Sequence, residues 1–319
     1  MVKLVWRTDI HLSDKTPHSR IDDWTQTVLD KIRQVGHIAR EVKASAVIDG
    51  GDFFDIKSPT RNSHSLVRQT ADVHGGYPCP VYANVGNHDC VYGDYSYLHQ
   101  QPLGVLFSTG VFNRLYDEHE AIFEDSDLKV RVVGIPYHGV NYDLSRFDIK
   151  KGDEDYLVVA AHVLASPKGG SMFEGEDIVK YSDLKSLDPD LWLFGHWHKN
   201  QGVVEIAPGK HVVNVGSLTR GTLHQDDLDR IPVATILSFT SQGIEIECRE
   251  LEVADAAEVF DLDRRAQVEV RDAAMEAFVD SLRDTLTLDR DSSVRDIVSD
   301  MEIPSEIKEK TLYYLEQAQ

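Results

Sequence analysis

The sequence predicts an α/β sandwich, with sheets in the middle and helices outside. Three observations lead there. Over the first two hundred residues short apolar runs alternate with amphipathic stretches. From Gly202 to Leu251 four strand-like runs follow one another with only turn residues between them. After Leu251 the chain turns acidic and takes on helical spacing. With 319 residues there is room for one large domain and an appendage. The expected division is a domain over residues 1–251 and an acidic helical region over 252–319, with the boundary between 251 and 262.

The elements follow in order. "KLVW" (Lys3–Trp6) is a buried strand candidate. Trp24, Val28, Ile32, Val35 and Ala39 then recur at spacings of three and four, the pattern of a helix packing one face. "ASAVID" is the second strand, the segment Asn62–Val73 a helix, and "PVYANV" the third strand with proline at its edge. "VRVVGIPY", "YLVVAAHV" and "LWLFGHWH" are further strands that end in polar residues. "GVVEI", "HVVNVGS", "VATILSF" and "GIEIEC" read as a run of antiparallel strands. Beyond them, Met275, Phe278, Leu282 and Leu286 form one apolar stripe. Ile307, Leu312 and Leu315 form another, in a helix opened by "IPSE" with Pro304 in its first turn.

Composition narrows the function classes. Hydrophobic content is 41%, and no run is long and apolar enough to span a bilayer. The N-terminus, "MVKLVWRTDIH", lacks the apolar core of a signal peptide, so a cytoplasmic location is expected. The three cysteines, Cys79, Cys90 and Cys248, contain no CxxC pair and suit a reducing compartment, which argues against a cysteine metal site. The net charge of −21 disfavours non-specific attraction to nucleic acid or anionic membranes. Almost half of it, −10, lies from Leu251 onward, where 18 acidic residues face 8 basic ones. Part of the rest comes from carboxylates that a bound metal would neutralise.

The strand ends carry the chemistry. In an α/β sheet, residues just past the C-terminal ends of strands meet in one crevice. Here those positions read "TDIH" (Asp9, His11), "GGDFFD" (Asp52, Asp55), "GNHD" (Asn87, His88, Asp89), "AAHV" (His162) and "GHWH" (His196, His198). Singly each has an ordinary explanation. Asp9 or Asp52 could cap a helix or turn, His162 could be a satisfied core histidine, and Asn87 after glycine suits a turn. Together they put a potential metal ligand at every strand end, and a shared metal site is the reading that accounts for all five.

In this order, D-x-H, G-D, G-N-H-D, a strand-end His and G-H-x-H resemble the signature of calcineurin-like metallophosphoesterases. The pattern covers residues 9–198. "GDFFDIKSPT", "GHWHKNQ" and "NVGSLTRGT" (Asn214–Thr222) further resemble the SbcD-type DNA double-strand-break repair nucleases, in a short phage-like version. GNHD in place of GNHE, and no arginine after the GD motif, separate the chain from protein Ser/Thr phosphatases.

The resemblance implies a β-sandwich of two mixed sheets flanked by helices, with a small helical C-terminal appendage. It implies that Asp9, His11, Asp52 and His198 hold one divalent ion. Asp52, Asn87, His162 and His196 would hold the other, with Asp52 bridging. Mixed imidazole and oxygen ligands suit two Mn²⁺ ions, with Fe²⁺ or Mg²⁺ as alternatives. Such a pair would activate a shared hydroxide toward phosphorus. His88 is expected to face the scissile phosphate, and Asp89 to fix its tautomer. Some relatives carry a second active-site histidine where this chain has Asp55. That residue is either an acceptor behind the ligands or a sign of altered exonuclease chemistry. Phe53 and Phe54 read as core.

Lys15, His18, Arg20, Lys57, Arg61, Lys168, Lys199 and Arg220 lie on expected loops at the same rim, as solvated charge or as contacts to a nucleic-acid backbone. The glycine-rich loop Ser166–Phe173 suits a threading substrate. The activity implied is metal-dependent DNA cleavage, 3′–5′ exonuclease on duplex and endonuclease on single strands, in repair or recombination. The alternative is a phosphodiesterase or phosphatase acting on small molecules or cyclic nucleotides. The resemblance also implies a coiled-coil SbcC-like ATPase partner and a homodimer. The acidic tail would either dock that partner or cap the domain. Dimer contacts would fall on the Asn62–Val73 helix and the segment Tyr95–Phe112, through His64, Leu66, Tyr97 and Leu98, unless these are buried in the monomer.

Overall fold

The structure is a computed structural model, and it describes residues 1–55, 62–90, 95–125, 128–169, 175–266, 298 and 308. The chain divides into two compact units, Met1–Phe260 and Asp261–Gln319. Residues 252–260 therefore belong with the first unit. The apolar stripes expected between Met275 and Leu315 fall outside the described residues, as do Lys57 and Arg61.

Fourteen strands are described: β1 (Val2–Arg7), β2 (Ala46–Asp49), β3 (Val81–Ala83), β4 (Asn113–Arg114), β5 (Glu120–Asp125), β6 (Leu128–Ile135), β7 (Tyr156–His162), β8 (Ala165–Ser166), β9 (Val179–Lys180), β10 (Leu191–Gly195), β11 (Gly202–Ala207), β12 (Lys210–Asn214), β13 (Val233–Thr240) and β14 (Gly243–Glu250). Twelve of them form two six-stranded sheets, ordered β14-β13-β1-β2-β3-β4 and β11-β12-β10-β7-β6-β5. In the first sheet β1 to β4 are parallel, and β13 and β14 are antiparallel additions. In the second, β6, β7, β10 and β12 are parallel, and β5 and β11 close the edges antiparallel. Both sheets are mixed, as the resemblance implies. Helices α1 (Trp24–Val42), α2 (His64–Gly75) and α3 (Pro102–Ser108) pack on the outer face of the first sheet, and the short helix α4 (Tyr181–Leu184) on that of the second.

The central strands β1, β2, β7 and β10 read as unbroken apolar runs because both of their faces are buried. In β1, Leu4 and Trp6 point between the sheets while Val5 points toward the helices. In β10, Leu191 and Leu193 point between the sheets while Trp192 and Phe194 point outward. The helix expected from Trp24 onward is α1, capped by the Asp23 carboxylate on the amide of Gln26. The helix expected over Asn62–Val73 is α2, with Ser63 capping Leu66.

The region Gly202–Leu251 departs from expectation. It is two hairpins rather than one run of antiparallel strands: β11–β12 extends the second sheet and β13–β14 the first. The loop between β12 and β13 crosses the sandwich, and Leu218 donates its amide to Thr8 O on the way. The turn residues mark the hairpins without saying which sheet each joins.

Two expected dimer contacts are buried in the monomer. Leu66 and Leu98 belong to the core under α2 and α3, whereas His64 and Tyr97 are exposed.

Candidate metal centre

The C-terminal ends of five parallel strands converge at one end of the sandwich. Asp9 and His11 follow β1, Asp52 follows β2, and Asn87 and His88 follow β3. From the other sheet, His162 ends β7, and His196 and His198 follow β10. The backbone turns sharply to deliver them. Six non-glycine residues have positive φ among the described residues, and four are Asp9, His11, Asp52 and His196. Each such residue costs on the order of 1 kcal/mol or more, which neighbouring contacts must offset. The offset is visible. Asp9 N donates to Gly51 O and His11 N to Asp52 O, so the first two strand-end loops run side by side. His196 N donates to the Asp9 carboxylate (3.0 Å), and His88 N to Asp52 Oδ1 (2.7 Å).

Two glycines make the approach possible. A Cβ on Gly86 would stand 2.0 Å from Asp52 Oδ1, and one on Gly195 would stand 2.3 Å from Thr8 Oγ1. "GNHD" and "GHWH" therefore begin with glycine for steric reasons.

The electron-pair donors crowd together. His11 Nε2 and His198 Nε2 are 2.9 Å apart, and His198 Nε2 is 3.7 Å from Asp9 Oδ1. His162 Nε2 is 3.2 Å from Asp52 Oδ2 and 3.3 Å from Asn87 Oδ1. Asp9, His11 and His198 form one group able to hold an ion, and Asp52, His162 and His196 another. His11, Asp52 and His88 form a third that overlaps both. Ligand atoms about 2.1 Å from a common ion stand about 3.0–3.4 Å from one another, and these separations fall close to that range.

The electrostatics agree with a cation. Burial works to lower the His162 pKa, yet the charge of Asp52, its hydrogen bond and Asp9 push it up to about 10. Burial works to raise the Asp52 pKa, but His162, His11 and His88 hold it well below the usual carboxylate range. His11 is likewise raised against its burial by Asp55, Asp52 and Asp9. His198 goes the other way, lowered to about 4 by burial and by His11. The carboxylates of the cluster thus favour a positive charge among them, as a proton or as a metal ion. The residues fit a pair of divalent ions.

A family model, Calcineurin-like phosphoesterase, matches residues 3–200. The chain belongs to that family. Its members use a dinuclear divalent metal site, and the chain is a hydrolase of phosphoester bonds. Among solved structures, a dimetal phosphatase from Danio rerio shares the fold with a TM-score of 0.52 at 10% identity, over 78% of this chain and 96% of that one. A novel archaeal phosphodiesterase has a TM-score of 0.38 at 16% identity, over 77% and 99% of the two chains. A third structure, TT1561 of Thermus thermophilus, has a TM-score of 0.47 at 14% identity, over 77% and 98%. No curated protein matches the sequence.

The family's seven expected ligands are thus together, and the residues around them hold surprises. The Asp89 carboxylate makes no hydrogen bond to the His88 ring among the described residues. It accepts the amides of Phe53 (3.1 Å), Phe54 (3.2 Å) and Gly86 (3.0 Å), and so ties the GNHD loop to the GD loop. Burial and the charge of Asp52 push its pKa up to about 7. The expectation that Asp89 fixes the His88 tautomer is corrected: the carbonyl of Asp55 does so, accepting from His88 Nδ1 at 2.8 Å. A carbonyl can only accept, so Nδ1 carries the proton and Nε2 is left for a substrate. The Asp55 carboxylate also lies 3.5 Å from His11 Nδ1, the position of an acceptor behind the ligands.

Glu176 was not anticipated. Its Oε1 accepts from His196 Nε2 (2.9 Å) and from the Tyr142 hydroxyl (2.7 Å). That hydroxyl in turn accepts the amide of Leu164 (2.8 Å). Burial opposes the charge on Glu176, but His196 and Tyr142 hold its pKa below the usual range. No motif marks this residue.

The expected substrate cations divide. Lys15, Lys168 and Lys199 are exposed. Lys15 and His18 line a 230 Å³ cavity with His11, His88 and His198. Lys199 lines a 440 Å³ cavity with His196 and His198, and pairs with Asp226 at 3.3 Å. Arg20 and Arg220 are not on the open rim, being only 6% and 7% exposed. Arg20 pairs with Asp22 at 2.8 Å, and both guanidinium groups lie over the Phe260 ring. Phe53 and Phe54 are core residues, as read.

Proposed function

We propose that the chain is a metal-dependent DNA nuclease, a 3′–5′ exonuclease on duplex and an endonuclease on single strands, acting in repair or recombination. The observation that carries it is the surface around His88. This histidine has a side chain 40% exposed, beside the ligand His11 (ring centroids 4.7 Å) and in the same cavity as Lys15 and His18. An open, cation-bearing rim of this kind admits a polymer backbone. The SbcD-like flanking segments point the same way.

Asp9, His11, Asp52 and His198 would hold one divalent ion, and Asp52, Asn87, His162 and His196 the other, Mn²⁺ being our choice for this donor set. Such ions supply Lewis acidity to the phosphate oxygens and to water. The chain does the rest. The Asp89 carboxylate, accepting the amides of Phe53, Phe54 and Gly86, ties together the loops that carry Asp52 and Asn87, and His88 N donates to Asp52 Oδ1. His162 is fixed through Nδ1 on Gly50 O (2.9 Å). His88, with Nδ1–H committed to Asp55 O, presents Nε2 to the scissile phosphate, where its imidazolium would donate to the leaving oxygen. Lys15 and Lys199 would contact flanking phosphates. We further propose a homodimer and an SbcC-like ATPase partner, on the resemblance alone.

A second reading, a small-molecule phosphodiesterase, gains support from one observation. Burial removes Arg20 and Arg220 from the rim, which leaves few cations for a long polyanion. The test is cleavage of labelled duplex and single-stranded DNA with Mn²⁺, Mg²⁺ or EDTA, beside a chromogenic phosphodiester. DNA cut only with metal supports the nuclease. Intact DNA with the small diester hydrolysed transfers the assignment to the second reading.

A further inference from the structure

A second cluster of cations lies away from the metals. A cavity of about 580 Å³ runs between α1 and the segment 252–259, and Arg20, Lys31 and Arg220 line it. That size suits a small ligand. Arg20 is neutralised by Asp22 through two hydrogen bonds of 2.8 Å. Arg220 bonds only to carbonyls, of Leu228 (3.4 Å) and Ala254 (2.7 Å), and among the described residues no carboxylate pairs with it. Lys31 is 7% exposed, and its ammonium makes no hydrogen bond or ion pair with any described residue.

Two acidic residues also line the cavity. Asp30 is exposed and engaged by Arg33, and Glu252 is exposed at the margin. Neither forms an ion pair with the buried cations, though both attract Lys31 from a greater distance. Burial, with Arg220 and Arg20 nearby, holds the Lys31 ammonium down to about 8, and burial and Arg20 lower Arg220 as well. Asp30 and Glu252 attract Lys31, and Asp227 and Asp22 attract Arg220, too weakly to offset these effects. Buried like charges that are only partly compensated are costly, and a ligand that neutralises them lowers the cost.

We propose that this cavity binds a small phosphate-bearing molecule, with Lys31 and Arg220 as its charge partners. Two cations that no carboxylate bonds directly match a dianion, which favours a phosphate monoester over a carboxylate. A duplex backbone, carried on a wide and rigid rod, cannot reach groups this deeply set, whereas a monoester can enter. Apolar Val259 and Ala254 stand beside the cations and would face the organic part. The site is separate from the reacting phosphate. Trp24 and Thr219 line both this cavity and the one at His11 and His88, and so form the wall between them. The proposal is independent of whether the enzyme cuts DNA.

The test is calorimetric titration of the full chain, treated with EDTA so that the metal centre contributes no phosphate binding. Inorganic phosphate and AMP are the probes. Lys31→Met is expected to weaken binding at least tenfold, with Lys31→Arg close to wild type. Ala254→Glu, on an exposed position at the mouth, is expected to weaken it similarly without touching the core, and covers the case in which Lys31→Met folds poorly. Thermal melts check the fold of each variant. Absence of saturable binding of both probes to the stripped wild type overturns the proposal. So does binding that neither Lys31→Met nor Ala254→Glu changes.

Discussion

Glu176 accepts the Nε2–H of His196 across 2.9 Å, which assigns the ring's tautomer and leaves Nδ1 as the nitrogen through which His196 would hold a metal. The carboxylate is itself held by Tyr142, whose hydroxyl hangs from the Leu164 amide. Partners of this kind orient ligands, and their loss typically costs about 10–100-fold in metal affinity. Glu176→Ala should therefore weaken one of two Mn²⁺ sites by about that factor, while Glu176→Gln, which keeps an acceptor oxygen, stays nearer wild type. Electron paramagnetic resonance of a Mn²⁺ titration reads both sites. Two unperturbed sites in the alanine variant would remove Glu176 from the centre.

His88 separates metal binding from chemistry. Its half-exposed ring touches His11 but is held by a backbone carbonyl rather than by the seven expected ligands. His88→Ala should lower kcat on DNA about 10²-fold or more while two ions still bind. Elemental analysis beside single-turnover kinetics makes the comparison. Loss of metal together with activity would make His88 a ligand.

Lys15 and Arg20 should behave in opposite ways despite standing close in sequence. Lys15→Ala is expected to raise KM for DNA a few-fold at constant kcat and to reduce the salt slope of binding by about 1. Arg20→Ala removes a buried pair with Asp22 and the stacking on Trp24 and Phe260, so it should lower the melting temperature. A salt slope lowered by Arg20→Ala at unchanged stability would return Arg20 to the DNA contacts.

Lys31 gives a pH signature. Its folded pKa, about 8, lies below the ordinary lysine value, so the folded state binds its proton less tightly than the unfolded chain does. The charged form is thus a burden below pH 8, and it is relieved as pH rises toward the unfolded value. Lys31→Met should be the more stable protein at pH 7 in phosphate-free buffer, by a margin that narrows between pH 8 and about 10.5. Melting curves across that range decide. A constant or growing margin would place the ammonium in water.

The expected ligand set was legible because each member sits at or just beyond the C-terminal end of an apolar strand run, where polar residues begin. Asp9 and His162 stand there directly, and Asp52, Asn87 and His198 follow a glycine in the turn just beyond. What lay hidden depends on the meeting of distant segments. Glu176 reaches His196 from a stretch with no periodicity of its own. Asp89 looked like the orienter of its neighbour His88, yet its carboxylate turns inward to three amides because two loops converge there. Arg20 and Arg220 looked like rim charges, and Phe260, folded across both guanidinium groups, helps to bury them. Hairpin assignment failed for the same reason, since turn residues carry no record of which sheet receives the strands.

The centre draws Asp9, His11, Asp52 and Asn87 from one sheet and His162, His196 and His198 from the other. Elsewhere the two layers meet through apolar side chains, which can slide, and through a few polar links such as Asn84 Nδ2 on Ile135 O and Ala160 O. At this end the bonds would be directional and would run through a common ion. A centre built this way is a clasp on the mouth of the sandwich. It would fix the angle between the layers where the substrate enters, so that occupancy would set the shape of the cleft as well as its chemistry.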